Sequence, residues 1–110
     1  MLTGEIWFAD LDPSEGFEQS GKHPVLIISG NAMNSKSGLV IVCPFTSKVK
    51  NYSGNIVLMP DEVNGLSMES EILTFQIRTI SSARLIKKIG SVPKDVHSLV
   101  LKNFIKICTY

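Results

Sequence analysis

Val25-Leu26-Ile27-Ile28 and Leu39-Val40-Ile41-Val42-Cys43 are among the longest uninterrupted apolar stretches, and their brevity limits the possible folds. A membrane-spanning helix needs roughly twenty apolar residues, so neither run qualifies. Short β-former runs bounded by Gly, Pro and Asn read instead as strands buried on both faces. Glu5 to Leu11 is a further strand, stopped by the turn signal Asp12-Pro13. Asn55 to Met59 and Glu71 to Ile80 follow the same pattern, the latter with Leu85 to Ile89 as its expected neighbour. Asp12 to Lys22 holds Pro13, Gly16 and Gly21 without apolar periodicity, and reads as a long loop of the kind that carries function. Asn31 to Ser37 reads as a short helical turn or loop. Helical periodicity is confined to the end, where Val96, Val100, Phe104 and Ile107 recur at three- and four-residue spacing. Pro93 and Asp95 suit the start of that helix, Lys102 and Lys106 its end. The expected architecture is a small curved antiparallel β-barrel with a C-terminal helix, one domain over residues 1–110.

With 44% hydrophobic and 19% charged residues, the chain is too apolar to be disordered. Its first residues lack the basic start and apolar centre of a signal peptide, so a cytoplasmic location is expected. Cys43 and Cys108 are too few for a disulfide framework and have no neighbouring ligands for a metal. Cys43 reads as a small core residue and Cys108 as a free thiol; Trp7 reads as core filling, and His97 as a surface or packing residue. The net charge of +1 hides a polarity along the chain. Glu5, Asp10, Asp12, Glu15 and Glu18 crowd the first twenty residues, whereas Arg78, Arg84, Lys87, Lys88, Lys94, Lys102 and Lys106 dominate the last third. That basic third suits a polyanion or an acidic protein partner, and a solvated lysine face is the plainer reading of the charge alone.

Three blocks carry a more specific signal. Gly4-Glu5-Ile6-Trp7 leads through Asp12-Pro13 to Gly16-Phe17-Glu18-Gln19-Ser20-Gly21-Lys22-His23-Pro24 and a buried strand. Val42-Cys43-Pro44-Phe45-Thr46-Ser47 closes the second buried strand, and Gln76-Ile77-Arg78-Thr79-Ile80 comes later. In order and spacing these blocks resemble the MazF/PemK toxins over nearly the whole chain. The resemblance implies an SH3-like barrel, a homodimer, an antitoxin protein as partner, and cleavage of single-stranded RNA without metal or other cofactor.

Such cleavage removes a proton from a 2′-hydroxyl, stabilises charge on the phosphate and protonates the leaving oxygen. In the family an Arg before the loop-ending Pro and a Thr after the second buried strand are the usual pair. Here the Thr is Thr46, but the Arg position holds His23. Histidine is able to exchange a proton near neutral pH, yet it does not replace an always-charged bidentate clamp. His23 therefore reads either as the catalytic group or as an ordinary loop histidine. Lys22 is adjacent and charged, although neighbours on an extended chain point to opposite sides. Another branch of the family places a His and an acid where this chain has Phe17 and Phe75, and an Arg where it has Leu73, so that acid–base set is absent.

Phe17 and Phe75 read either as stacking platforms for unpaired bases or as packing against the barrel; the first suits Phe17 in its polar loop, the second Phe75 within a strand. Glu18 is expected to accept a proton or orient His23, and Gln19 to read base edges, with stapling of the loop through backbone hydrogen bonds as the alternative for both. Ser47, Lys48 and Lys50 form a basic loop suited to phosphate, and Gln76 and Arg78 complete the expected RNA-binding set. An internal ion pair is an equally good reading of Arg78. Two readings thus stand side by side: a toxin endoribonuclease of altered activity, and an inactive binder of antitoxin, RNA or a protein target such as gyrase.

Overall fold

The computed structural model describes residues 1–110. Strands β1 (Glu5–Asp10), β2 (Lys22–Ile27), β3 (Leu39–Thr46), β4 (Ile56–Leu58), β5 (Ser70–Ile72), β6 (Arg78–Ser81) and β7 (Leu85–Ser91) join helices α1 (Asn31–Lys36) and α2 (Lys94–Thr109). The sheet runs β4-β5-β3-β2-β1-β7, with β6 also paired to β3, and every pairing is antiparallel. It is curled but open, since β4 and β7 stand at its two ends and do not pair.

The two apolar runs became strands for the reason their continuity suggests: both of their faces are buried. Leu26, Ile28, Cys43 and Phe45 belong to a core shared with Ile6, Leu66, Ile72 and Val100 of α2. Val25, Ile27, Val40 and Val42 face the other way, into a core with Ala9, Leu11 and Ile80. Successive side chains of a strand alternate between faces, so one run supplies both cores. Helix α2 docks through Val100, which is fully buried, and Val96, while Leu99, Ile105 and Ile107 stay exposed. His97 ties the helix down, its Nε2 lying 3.0 Å from the Ile28 carbonyl.

Two expectations about the second half are corrected. Residues 71–80 are not one strand. β3 offers a single edge to both β5, at Phe45 and Thr46, and β6, at Leu39 to Val42. The chain leaves that edge between them through a 3-10 turn at Thr74–Gln76. Nor does β7 lie beside that segment; it pairs with β1, with register shifts at Ile6/Trp7 and Phe8/Ala9. Trp7 is half-buried rather than central, and its indole N–H donates to Glu5 Oε1 at 2.9 Å.

Glu5 is the electrostatic anchor of this edge. Burial pushes its carboxyl up, but the Leu2 amide, the Trp7 indole and Lys88 together outweigh that and hold it at about 2. Lys88 Nζ lies 2.9 Å from Glu5 Oε2. A depressed carboxylate contributes stability above its unfolded value, here 4.5, and loses it as pH falls toward about 2. Acid melts should therefore show wild type losing its advantage over Glu5→Gln across that window; parallel curves would refute the assignment.

Candidate active site

The loop from Asp12 to Gly21 is tied down at its base by backbone contacts and by two arginines. Leu11 N donates to the Gly21 carbonyl at 2.8 Å, and Gly21 N to Asp12 Oδ1 at 3.1 Å. Arg84 Nη1 donates to the Asp12 carbonyl, and Arg78 Nη1 to the Leu11 carbonyl at 3.1 Å. Arg78 is thus a loop anchor, and the ion pair weighed for it is not formed. The molecule's one salt bridge is Lys88–Glu5.

The tip of the loop is fastened by two amide side chains. Gln76 Oε1 accepts from Gln19 N at 2.6 Å, and its Nε2 donates to the Phe17 carbonyl at 3.3 Å. Gln19 Nε2 donates to the Phe45 carbonyl at 3.0 Å and lies 3.3 Å from His23 Nδ1. These contacts bring the loop, the end of β3 and the start of β2 together. The β2–β3 pairing ends at Val25 with Pro44, so His23 and Thr46 each lie two residues beyond it on their strands.

The contact with Gln19 has a chemical consequence. The Gln19 amide nitrogen is oriented by the Phe45 carbonyl, so toward His23 it presents a second N–H. In this contact Nδ1 is the acceptor, which leaves the ring N–H at Nε2. Thr46 Oγ1 accepts from Lys48 N at 3.1 Å, leaving the hydroxyl hydrogen free to donate.

The remaining expected residues divide. Thr46, Lys48, Lys50, Phe17, Gln19 and Gln76 share one groove of about 300 Å³, together with Tyr52 and Phe75. His23 and Ser47 line an adjoining apolar cavity of about 550 Å³ with Phe8, Phe45, Leu66 and Met68. Glu18 does not reach His23: its Oε1 accepts from Glu15 N at 2.6 Å and closes the turn of its own loop. Lys22 points away, into a cleft with Asp10, Asp12 and Arg84. Strand alternation is the reason, because Lys22 and His23 are consecutive on β2.

Two aromatics change standing. Phe75 sits on the 3-10 turn, 47% exposed, rather than packed within a strand. Its ring meets Tyr52 edge-to-face at 6.0 Å between centroids. Sequence reasoning passed over Tyr52, although a lone aromatic in a polar, basic loop was the available signal.

The family model for PemK-like, MazF-like toxins of type II toxin–antitoxin systems matches residues 2–108. The endoribonuclease EndoA of Bacillus subtilis is 37% identical over 102 residues, covering 87% of this chain and 84% of its own. The endoribonuclease MazF9 of Mycobacterium tuberculosis is 33% identical over 97 residues, covering 84% and 82%. The crystal structure of MazF from Deinococcus radiodurans superposes with a TM-score of 0.86 at 25% identity, covering 100% of this chain and 97% of that one. Three blocks at family spacing, a curled antiparallel sheet with a terminal helix, and agreement over nearly the full length have one explanation: the chain belongs to the PemK-like, MazF-like family of type II toxin–antitoxin toxins.

Proposed function

We propose that this chain is the toxin endoribonuclease of such a pair, cutting single-stranded RNA without a metal, with Thr46 and His23 as its catalytic residues. The observation that carries the assignment is the Gln19 bridge, which fastens the loop to β3 and brings His23 to the end of the strand bearing Thr46. In the reaction the 2′-oxygen attacks phosphorus and the P–O5′ bond breaks. The 2′-hydroxyl proton passes to water, and water returns one to the departing 5′-oxygen. The negative charge that builds on the phosphoryl oxygens needs donors already aimed at it. His23 supplies its Nε2–H, Thr46 its hydroxyl, and Lys48 and Lys50 the positive field. This gives His23 the phosphate-facing role that an arginine fills elsewhere in the family, through one hydrogen bond instead of a bidentate clamp. The toxin works as a homodimer in the cytoplasm and is held inactive by a cognate antitoxin protein. No helix of the structure is long and apolar enough to cross a membrane.

The test is incubation of the purified protein with a long single-stranded RNA in EDTA, with 5′ ends mapped by primer extension. Discrete cuts are expected, and Thr46→Ala and His23→Ala should each lower the rate by about 10²–10³, the usual loss for one transition-state donor. Circular dichroism should show both variants folded. Undiminished cleavage in both would remove these residues from the chemistry. Intact RNA after incubation with folded wild type would leave a binding module of the same fold.

A further inference from the structure

The groove that holds Thr46 has a second character that catalysis does not explain. Tyr52 is 50% exposed, Phe75 47%, and Phe17 has its whole side chain in solvent. All three line one groove with Lys48 and Lys50. Exposed aromatics gathered at one place are unfavourable unless something covers them.

Their positions are set by the framework. Tyr52 N donates to Glu71 Oε2 at 3.0 Å. The turn that carries Phe75 is pinned by Thr74 N, which donates to Asn55 Oδ1 at 3.0 Å. The Phe17 carbonyl accepts from Gln76 Nε2. An edge-to-face pair spends one edge of one ring and one face of the other, which leaves both faces of the edge-on ring and the far face of its partner outside the contact.

The charge identifies the occupant. The Glu71 carboxylate is fully buried and committed to the amides of Lys50, Asn51 and Tyr52 and to Asn55. What the groove presents outward is therefore two ammonium groups beside flat apolar rings. An anionic polymer that carries planar rings fits this combination. A basic track with aromatic platforms is how unpaired nucleic-acid strands are held.

We infer that Tyr52 and Phe75, flanked by Phe17, form a stacking subsite for one unpaired base of the RNA, with the neighbouring phosphates on Lys48 and Lys50. This rests on the endoribonuclease reading and extends it. Because Thr46 lines the same groove, the stacked base belongs to a nucleotide beside the cut. The two rings are inclined at 69°, so the base stacks on one of them with its edge toward the other, and a purine, with the larger face, is the preferred occupant.

A 2′-O-methyl oligonucleotide carrying 2-aminopurine separates binding from cleavage, since it lacks the attacking hydroxyl. With wild type, its fluorescence should be quenched as the base stacks. Tyr52→Ala and Phe75→Ala should each weaken binding about five- to a hundred-fold, the range expected for one lost base stack. Tyr52→Phe keeps the ring and should bind like wild type, which separates stacking from any loss of fold. Unchanged affinity in both alanine variants overturns the subsite. So does a failure of wild type to bind the oligonucleotide, whether or not an acidic peptide binds in its place. Quenched binding by a protein that cuts no RNA would uphold the subsite while the catalytic reading falls.

Discussion

Glu71→Ala is expected to destabilise the protein by about 3–5 kcal/mol, because four hydrogen bonds to one charged acceptor are lost together. For a domain of this size that corresponds to a fall in Tm of roughly 10–20 °C, measurable by thermal denaturation. The Glu71 side chain is fully buried on β5. Its oxygens accept from Lys50 N at 2.8 Å, Asn51 N at 2.9 Å, Tyr52 N at 3.0 Å and Asn55 Nδ2 at 2.8 Å. One carboxylate thus organises the whole turn between β3 and β4. Without it, four donors lose their charged acceptor at once, each such bond contributing about 1.5–3 kcal/mol at most because the donors sit on half-buried or exposed residues. Glu71→Gln keeps one acceptor oxygen and should fall between wild type and alanine.

The same residue gives a pH signature. Burial pushes the Glu71 carboxyl up, but the bonds from Asn55, Lys50, Asn51 and Tyr52 outweigh it and hold it below the ordinary 4.5. Its contribution is complete above that value and disappears as pH falls through the lower folded one. The stability gap between wild type and Glu71→Gln should therefore narrow below about pH 4.5. The loop that depends on Glu71 carries Lys48, Lys50 and Tyr52, so nucleic-acid binding should weaken as it loosens.

Gly65→Ala is the second large effect, expected at about 3 kcal/mol in urea unfolding. Gly65 has a φ of +66, where side chains are strained. An added Cβ would also lie 2.0 Å from the Ile89 carbonyl oxygen, a backbone atom with no room to retreat. The surrounding loop is held by Asn64, whose Oδ1 accepts from Leu66 N at 3.0 Å and whose Nδ2 donates to the Met59 carbonyl at 2.9 Å. Gly16→Ala is the control, because Gly16 has a similar φ of +57 but open space around it. It should cost only about 1–2 kcal/mol. Equal losses at the two positions would show that strain alone, and not the approach of β7, governs Gly65. Gly65 and Leu66 line the cavity beside His23, so the damage should extend to activity.

The buried runs, the terminal helix and the long loop were legible in the sequence because each is a local pattern. Val25 to Ile28 and Leu39 to Cys43 have no polar face to offer and must become strands buried on both sides. Val96 and Val100 mark the docking stripe of α2 by spacing alone. The family blocks were legible as well, since Gln19, Thr46 and Gln76 stand in family order, with His23 where the family has an arginine. Residues 71–80 were not legible. Their β-formers look continuous, and nothing local announces that β3 must share one edge between β5 and β6. Strand partnership is a property of the assembled sheet, so β7 beside β1 was equally hidden.

Side-chain roles followed the same division. The sequence by itself determined which residue types were present: a histidine in place of an arginine, a threonine retained, and aromatics where another branch has an acid and a base. Only the tertiary structure decided what they do. It turned Glu18 onto its own loop, sent Lys22 into another cleft and made Arg78 an anchor. It also brought Tyr52 to Phe75 from 23 residues away in sequence. The physical reason is range. Propensity and periodicity act over a few residues along the chain, whereas a hydrogen bond or ring contact depends on atoms that meet only after the sheet has curled.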